Sequence, residues 1–457
     1  MKRKIIDLLM VAILTGSLVT GCGSTSSSPD SSSAKSEANV AKTNSTEDAE
    51  KSASGITEAT ESVFGSDKNI SADITIWSSG EEMQRFIEGF NREYPNIHIN
   101  YTIVKNEDFL AKLTPAIANG QDVPDIFTGE SSYVRYLVNA GVWDDLSSDP
   151  YNADTSDVWD YVTDVGTDDS GALRALSWQT TPGTIIYRRD IAEDVLGVSE
   201  PEDVSKLLGT YDNMMDIAAK MKEKGIHMFA SWEDVLLMKL SERDSPWVVD
   251  DQLVVDPLME EFMDYVKTIH DNGYDLDVSE WDPEWTAAVE DGSVFCFVLP
   301  TWGYSFVIKQ NAQSSSGKWG LCEGPNPYVN GGTWLGIYKD SPNKEAAWDF
   351  LSYMTLNKDV LKDYSVTYGE YVDLKSADEE LARVDGEDTL NGQNIYQVYN
   401  KVMAENPHVT ITQYDEQINA AYKSAVRSYA EGKLTKEKAI EQFKADVSNA
   451  YPDLKVQ

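Results

Sequence analysis

Two hydrophobic patterns alternate over residues 74–127, and this alternation restricts the fold more than any other feature of the chain. The short apolar runs cover residues 74–77, 97–103 and 123–127. Apolar residues at helical spacing follow Ser79 and again follow Asp108. The order strand, helix, strand, helix, strand predicts an α/β sheet with mostly parallel pairing. Ligands bind such sheets beyond the carboxyl ends of the strands.

The chain has 457 residues and a formal net charge of −39, which restricts its size class and its partners. This length exceeds one usual domain and indicates two domains or a two-lobed body. A nucleic-acid binder needs clustered Lys and Arg, and so does a protein attracted to an anionic membrane surface, so both classes are disfavoured. With 41% hydrophobic and 10% aromatic residues, the chain has enough material for sizeable cores.

Residues 1–21 have the pattern of an export signal, with three basic residues before an apolar run that is too short for a comfortable membrane span. The run ends in Leu18-Val19-Thr20-Gly21-Cys22, which resembles a bacterial lipobox. The resemblance implies cleavage before Cys22 and lipidation of its sulfur and amino group. Two or more acyl chains anchor a protein stably. An ordinary secreted protein with an incidental Cys22 stays the alternative.

A tether is predicted for residues 22–70, because residues 23–70 contain 13 Ser and five Thr but only one aromatic side chain. Such a segment buries too little apolar surface to offset its ordering entropy, so we expect a disordered linker. The leader carries a charge of +2 and the linker −4, which leaves −37 for the body. The acidity therefore belongs to the folded part.

Three motifs resemble bacterial extracellular solute-binding proteins of sugar ABC importers, the maltose-binding-protein-like family 1. They are "VPDIFTGESSYVRYLVNAGVWDDLS", "GALRALSWQTTPGTIIYRRDI" and "VEDGSVFCFVLPTWG" followed by "GGTWLGIYKDSPNKEAAWDFLSYMT". The resemblance extends from about residue 72 to the C-terminus. Each motif alone is loose, and the specificity lies in their order and spacing.

The resemblance implies a two-lobed, periplasmic-binding-protein-like α/β fold of class II, with crossover hinges and the ligand cleft between the lobes. It places lobe 1 at 71–180 plus 331–388 and lobe 2 at 181–330 plus 389–457. Gly and Pro at the first two crossovers, near 180–183 and 325–332, are compatible with hinge rotation.

Aromatic and polar residues near the expected strand ends are the candidates for a sugar site. Sugars present apolar C–H faces edged with hydroxyls, which aromatic rings and carboxylates or amides bind. Ser79 is also predicted to cap a helix together with Glu82. The ligand-binding candidates are Trp302, Tyr304, Trp232, Trp178, Gln179, Trp334, Ser79, Glu81, Glu130 and Tyr414. Trp159, Trp281 and Trp285 are interpreted as packing residues on helical faces.

No catalytic signature occurs in the sequence, which contains no G-x-S-x-G, Walker A, G-x-G-x-x-G or H-E-x-x-H motif. The four His share no ligand spacing, and we expect neither metal nor cofactor. A Cys296–Cys322 disulfide is left open, because export permits it while the apolar surroundings of Cys296 suit a buried free thiol.

The first hypothesis is therefore a monomeric, non-enzymatic lipoprotein on the extracellular face of a Gram-positive-type cell membrane. It would capture a carbohydrate, an oligosaccharide, and deliver it to the permease subunits of an ABC transporter. A surface glycoside hydrolase or lyase stays open, because that chemistry needs only two of the 77 carboxylates. A binding protein for a non-sugar solute such as a polyamine is the third alternative, and a surface scaffold without a small ligand is the fourth.

Overall fold

The computed structural model describes residues 64–65, 67–407 and 411–456, and the predicted signal peptide, Cys22 and nearly all of the predicted linker lie outside them. In this part of the chain the strands are β1 (Ala72–Ser78), β2 (Ile97–Ile103), β3 (Ile126–Glu130), β4 (Leu176–Ser177), β5 (Gly183–Arg188), β6 (His227–Phe229), β7 (Val248–Val249), β8 (Gln252–Leu253), β9 (Val294–Pro300), β10 (Trp319–Cys322) and β11 (Thr333–Ile337).

Helices occupy most of the remaining described chain. They are α1 (Gln84–Glu93), α2 (Asn106–Asn119), α3 (Val134–Ala140), α4 (Asp160–Gly166), α5 (Arg189–Leu196), α6 (Pro201–Leu207), α7 (Tyr211–Glu223), α8 (Trp232–Leu240), α9 (Pro257–Asn272), α10 (Pro283–Asp291), α11 (Lys309–Asn311), α12 (Lys344–Thr355), α13 (Lys358–Tyr368), α14 (Lys375–Leu381), α15 (Ile395–Ala404), α16 (Asp415–Ala430) and α17 (Lys436–Ala450). A π-helical segment, Gly303–Ile308, continues from β9, and a 3-10 turn covers Asp388–Leu390.

Two mixed sheets organise the strands, in the orders β2-β1-β3-β11-β4 and β10-β5-β9-β6. The pairs β1–β2, β1–β3 and β6–β9 are parallel, and the other four pairs in these sheets are antiparallel. The parallel pairing predicted from residues 74–127 is confirmed for β1, β2 and β3. It does not extend to the rest of the first sheet, where β11 pairs antiparallel with β3 and β4. A strand–helix–strand unit forms the parallel pair β1–β2, whereas β5 and β11, which arrive from the other sheet, run antiparallel to their neighbours.

The chain passes between the sheets twice, from β4 to β5 and from β10 to β11. Helices cover both sheets, and the buried apolar side chains form two core clusters. One cluster extends from the first sheet to residues of the second such as Ile186 and Phe297, and the other contains the remaining residues of the second sheet, such as Ile185 and Val298. Trp302 is partly buried and packs against both clusters. Its Nε1 donates a hydrogen bond to the carbonyl of Asn330, shortly before β11 of the first sheet. The region after β9 therefore lies beside the second crossover between the sheets, while the limits assigned to the two lobes stay a prediction.

The first helix does not begin as the sequence predicts. Helix α1 starts at Gln84, and Met83 precedes it without a capping side chain. The hydroxyl of Ser79 instead donates a hydrogen bond to Glu130 at the end of β3. The predicted capping box of Ser79 and Glu82 is wrong, because the carboxylate of a neighbouring strand is the better acceptor for this hydroxyl.

The end of the predicted linker packs against the body. The ring of Phe64 lies edge-on to Tyr151, with 5.6 Å between the ring centroids, and Tyr151 lies edge-on to Trp348. Beside Trp348, Asp349 is only 1% exposed, and neither carboxylate oxygen has a hydrogen-bond partner among the described residues. Burial raises the pKa of Asp349 to about 7, and the carboxylates of Glu345 and Asp67 add to the increase.

We expect Asp349 to make the stability of the body depend on pH. Its pKa is higher in the folded than in the unfolded state, so its neutral form supports folding below pH 4 and this support is lost as pH rises through about 7. Raising the pH from 5 to 8.5 should lower the free energy of unfolding of the wild type, relative to Asp349→Asn, by on the order of 2 kcal/mol. Urea denaturation at both pH values measures the difference, and a pH-independent difference would contradict the prediction.

Candidate ligand-binding cleft

A carboxylate supported by two hydroxyls lies where β1, β3 and β11 end or begin. Ser79 Oγ donates to Glu130 Oε1, and Thr333 Oγ1 donates to the same oxygen at 3.0 Å. Among the described residues, no Lys or Arg forms an ion pair with Glu130, and nothing bonds to its Oε2. Burial raises the pKa of Glu130, while the two hydroxyl donors oppose that increase. The arrangement holds one carboxylate oxygen still and leaves the other available to a ligand.

The second crossover segment gathers contacts from both halves of the molecule on consecutive carbonyl groups. Trp302 Nε1 donates to the carbonyl of Asn330 at 3.2 Å, and Tyr161 Oη donates to that of Gly331 at 2.6 Å. The backbone N–H of Ser131 donates to the carbonyl of Gly332 at 3.0 Å. Residues 330–333 therefore connect the end of β9 with the end of β3.

Glycine is needed at this crossover for two physical reasons. Gly331 and Gly332 have φ of +104° and +99°, where other residues are strained. A Cβ on Gly331 would also lie 2.9 Å from Trp302 Nε1. The missing side chains allow the main chain to touch the indole directly.

The most exposed aromatic surface beside the crossover belongs to Trp281. Its ring stacks on Trp302 with 5.3 Å between centroids and 24° between planes, and it is 60% exposed. Trp302 itself is only partly exposed. The interpretation of Trp281 as a packing residue on a helix is therefore wrong, because Trp281 lies in the loop before Pro283, where α10 begins.

A cavity of about 350 Å³ lies beside the crossover, and Tyr161 belongs to both. Its wall combines aromatic, acidic and basic side chains on α4 and α14 with the end of α15. The lining residues are Trp159, Asp160, Tyr161, Asp164, Lys375, Met403, Ala404, Asn406 and Pro407. Lys375 Nζ bonds to Asp160 Oδ1 at 2.9 Å and lies 5.6 Å from the ring centroid of Trp159. Trp159, interpreted from the sequence as a packing residue, thus borders a space that a small ligand could fill.

Two of the predicted platforms lie inside the protein. Trp178 is 1% exposed and packs edge-on against Phe86, and Trp334 is fully buried with its Nε1 donating to the carbonyl of Val162 at 3.0 Å. Neither ring has a face open to a ligand in this structure. Both side chains therefore pack in the core, and their prediction as exposed ligand platforms is not supported by this structure.

Trp232 and Tyr304 are also buried rather than exposed. Trp232 is the first residue of α8, and the guanidinium of Arg427 lies 5.7 Å from its ring centroid. Tyr304 Oη donates to Glu387 Oε2 at 3.3 Å. Both side chains are therefore removed from the candidate contact surface, for the same reason of burial.

Among the described residues, no hydrogen bond joins the remaining polar candidates to Glu130. Gln179 forms an isolated strand bridge with Val372, and Glu81 is exposed. Tyr414 precedes α16 and packs edge-on against Tyr451 at 5.1 Å. These three residues stay predictions that no contact in the structure supports, whereas Ser79, Glu130 and Trp302 meet at one crossover.

Cys296 and Cys322 are both free and buried. They lie on β9 and β10, which flank β5 on opposite sides, so two strand spacings of about 10 Å in total separate them. A disulfide needs Cα atoms within roughly 7 Å. Cys296 Sγ instead approaches the carbonyl of Met228 at 3.3 Å. The disulfide that the sequence left open is therefore excluded by the strand order.

Neither a metal-binding group nor a membrane-spanning helix is found in the described chain. No three or more His, Cys, Asp or Glu side chains in residues 64–65, 67–407 and 411–456 come together in a way that could hold a metal ion. Over the same ranges, no helix has the length and apolar character to cross a membrane.

A family model of bacterial extracellular solute-binding proteins matches residues 85–381, which is more than half of the chain. The chain belongs to this family. The predicted family resemblance is thereby confirmed. A comparison with curated protein sequences found no match.

Solved structures of other solute-binding proteins have the same two-lobed fold. An extracellular solute-binding protein of family 1 aligns with a TM-score of 0.72 at 18% identity, over 83% of this chain and 99% of that chain. The lacto-N-biose complex of the galacto-N-biose-/lacto-N-biose I-binding protein of an ABC transporter from Bifidobacterium longum aligns with a TM-score of 0.69 at 16% identity, over 85% and 99%. The sugar-binding protein MalE from Xanthomonas citri gives 0.69 at 17%, over 83% and 97%. The predicted two-lobed α/β class is confirmed.

Proposed function

We propose that this solute-binding protein captures a carbohydrate ligand, specifically an oligosaccharide, between its two halves and delivers it to the permease of an ABC transporter. The observation that carries the proposal is the meeting of an aromatic pair and an open carboxylate at residues 330–333. Trp281 and Trp302 supply flat apolar surface, and Glu130 supplies an acceptor for hydroxyl donors. This combination fits a sugar ring, which has apolar C–H faces and hydroxyl edges.

Delivery requires a change of shape that a transporter can recognise. Glu130 lies at the end of a strand in the first sheet and Trp302 follows a strand in the second. A ligand that touches both halves stabilises the closed arrangement over the open one, which shifts the population toward it. The protein then needs no reaction at the ligand.

A surface glycoside hydrolase is the second candidate, because two carboxylates line the 350 Å³ cavity. Asp160 and Asp164 lie one turn apart on α4, and burial and the neighbouring Asp160 raise the pKa of Asp164. Side chains at this spacing lie on one helix face, whereas the paired carboxyl groups of glycosidases flank the scissile bond. This placement argues for ligand contact over hydrolysis.

Calorimetry and thermal unfolding with a solute panel test the function. The panel contains lacto-N-biose, β-1,6-galactobiose, maltose and spermidine, and each mixture is afterwards analysed for products. We expect 1:1 binding of at least one sugar, a melting temperature several degrees higher at saturation, and intact sugar. Binding of spermidine alone would identify a polyamine protein, and released monosaccharide would identify an enzyme.

We also propose that the mature chain is lipid-anchored through Cys22 on the outer face of a Gram-positive-type cell membrane. The lipobox-like sequence supports this, and two or more acyl chains hold a protein stably on a membrane. Cys22→Ser should move the protein from the membrane fraction to the culture medium. Retention of the variant on the membrane would exclude this anchor.

A further inference from the structure

Trp281 has an unusual backbone conformation for a large side chain. Its φ is +72°, in the left-handed region where a bulky L residue is an outlier, and its ring is nevertheless 60% exposed. Exposing most of an indole forgoes burial of a large apolar surface. A strained backbone that presents an apolar ring to solvent indicates that the ring has a binding role.

The loop around Trp281 is well anchored. The N–H of Ser279 donates to Asp282 Oδ2 at 2.9 Å, and the N–H of Asp282 donates back to the carbonyl of Ser279 at 3.1 Å. Arg427 Nη2 donates to Ser279 Oγ at 2.8 Å. The inner neighbour Trp285 packs on Trp281 at 5.4 Å and is fully buried. The ring is therefore positioned in advance, which limits the entropy that a ligand must remove.

The aromatic rings lie in a row that runs from the crossover, at the floor of the cleft, to its rim. Asn330 and Gly331 contact Trp302, Trp302 stacks on Trp281, and the far side of Trp281 faces solvent. One face of Trp302 is thus already occupied by Trp281. The open stacking face lies one ring further out than the sequence predicted.

We propose that Trp281 is the outermost sugar-stacking platform of the cleft and that it selects for ligand length. This inference rests on the proposed carbohydrate-binding function. A short sugar held at Glu130 and the crossover does not reach the outer face of Trp281, whereas a longer oligosaccharide extends onto it. Each unit beyond the inner ones therefore gains affinity only when this indole is present.

Titration of wild type and Trp281→Ala with two sugar series tests the inference. The probes are maltooligosaccharides and β-1,6-linked galactose oligomers of one to five units, measured by calorimetry. We expect Trp281→Ala to weaken binding of the longest bound oligomer about tenfold and of the shortest less than about twofold. The reason is that only the outer sugar units of a long oligomer lose a stacking contact. Trp281→Phe should retain most of the length preference. Val366→Ala, another exposed apolar residue, should bind like wild type.

Three outcomes overturn the inference. Equal weakening of all lengths would make Trp281 a support for Trp302, and unchanged binding of all lengths would remove it from the site. Thermal unfolding of both variants shows whether lost binding comes from a folding defect. If Trp281→Ala and Trp281→Phe both melt at a lower temperature than wild type and both bind weakly, the loss is structural. A wild-type protein that binds no member of either series would overturn the proposed function for these sugars together with this inference.

Discussion

Glu130→Gln is expected to weaken carbohydrate binding by about 10- to 100-fold, because a charged acceptor contributes roughly 1.5–3 kcal/mol to a hydrogen bond. The amide oxygen still accepts from Ser79 and Thr333, so the side chain keeps its place. The amide nitrogen then replaces Oε2, which is the atom left open in the cleft. The amide NH₂ group would then face the ligand hydroxyl whose hydrogen bond the wild-type carboxylate accepts. Calorimetric titration with the best sugar of the panel measures the loss.

The same substitution is expected to leave the free energy of unfolding unchanged or higher. Burial raises the pKa of Glu130, which means that folding disfavours the negative charge of this carboxylate. The glutamine variant has no charge there, so it avoids this cost. Glu88→Gln removes an equal charge from α1, where the side chain is 88% exposed, and serves as the matched control. Wild-type affinity in Glu130→Gln, or an equal loss in Glu88→Gln, would place the ligand elsewhere.

The strand-end positions of Glu130 and Trp302 could be predicted from the sequence, because Glu130 ends a recognisable apolar strand and Trp302 follows one. The ends of sheet strands are where ligands bind, and a strand pattern identifies such ends without any knowledge of the sheet order. Nothing local, however, indicates whether a neighbouring ring points into the cleft or into the core. Thr333 faces Glu130, and the next residue, Trp334, points to the opposite side of the strand and is buried.

The loop position and the exposure of Trp281 were not predicted, because the sequence around it favours a helix. Pro283 and the helical spacing after it predict α10 well, and one extra turn at its start would place Trp281 on a buried face. A positive φ in a Trp has no marker in a single sequence. The same limit applies to the aromatic wall of the cavity, where Trp159 directly precedes α4 and Lys375 lies more than 200 residues later.

The helices of the C-terminal region can be recognised from local sequence pattern, whereas the direction in which distant strands pair cannot. Periodic apolar residues mark Asp415–Ala430 and Lys436–Ala450 directly. The antiparallel pairing of β11 with β3 depends on residues about 200 positions apart and on the route of the crossover. Local pattern is therefore informative about elements and uninformative about long-range pairing.

Gly183→Ala is expected to lower the free energy of unfolding by about 3 kcal/mol, because overpacking a closed interior forces its surroundings apart. Gly183 begins β5, directly after the first crossover, and its N–H donates to the carbonyl of Tyr328 in the second at 2.8 Å. A Cβ there would lie 1.9 Å from Tyr328 Cζ and 2.1 Å from Cε2. The Tyr328 ring is 1% exposed, so it has no free space to enter.

Gly209→Ala is the matched control, since a Cβ at that position comes no closer than 3.5 Å to the carbonyl oxygen of Ser205. Its free energy of unfolding should equal or slightly exceed the wild-type value, because alanine lowers the entropy of the unfolded chain. Urea denaturation of the three proteins provides the comparison. Equal stability of Gly183→Ala and wild type would mean that the two crossovers separate easily. A pronounced loss of unfolding free energy in Gly183→Ala would instead show that the two crossovers are tightly packed against each other at Gly183. This contact then holds the two halves of the protein together.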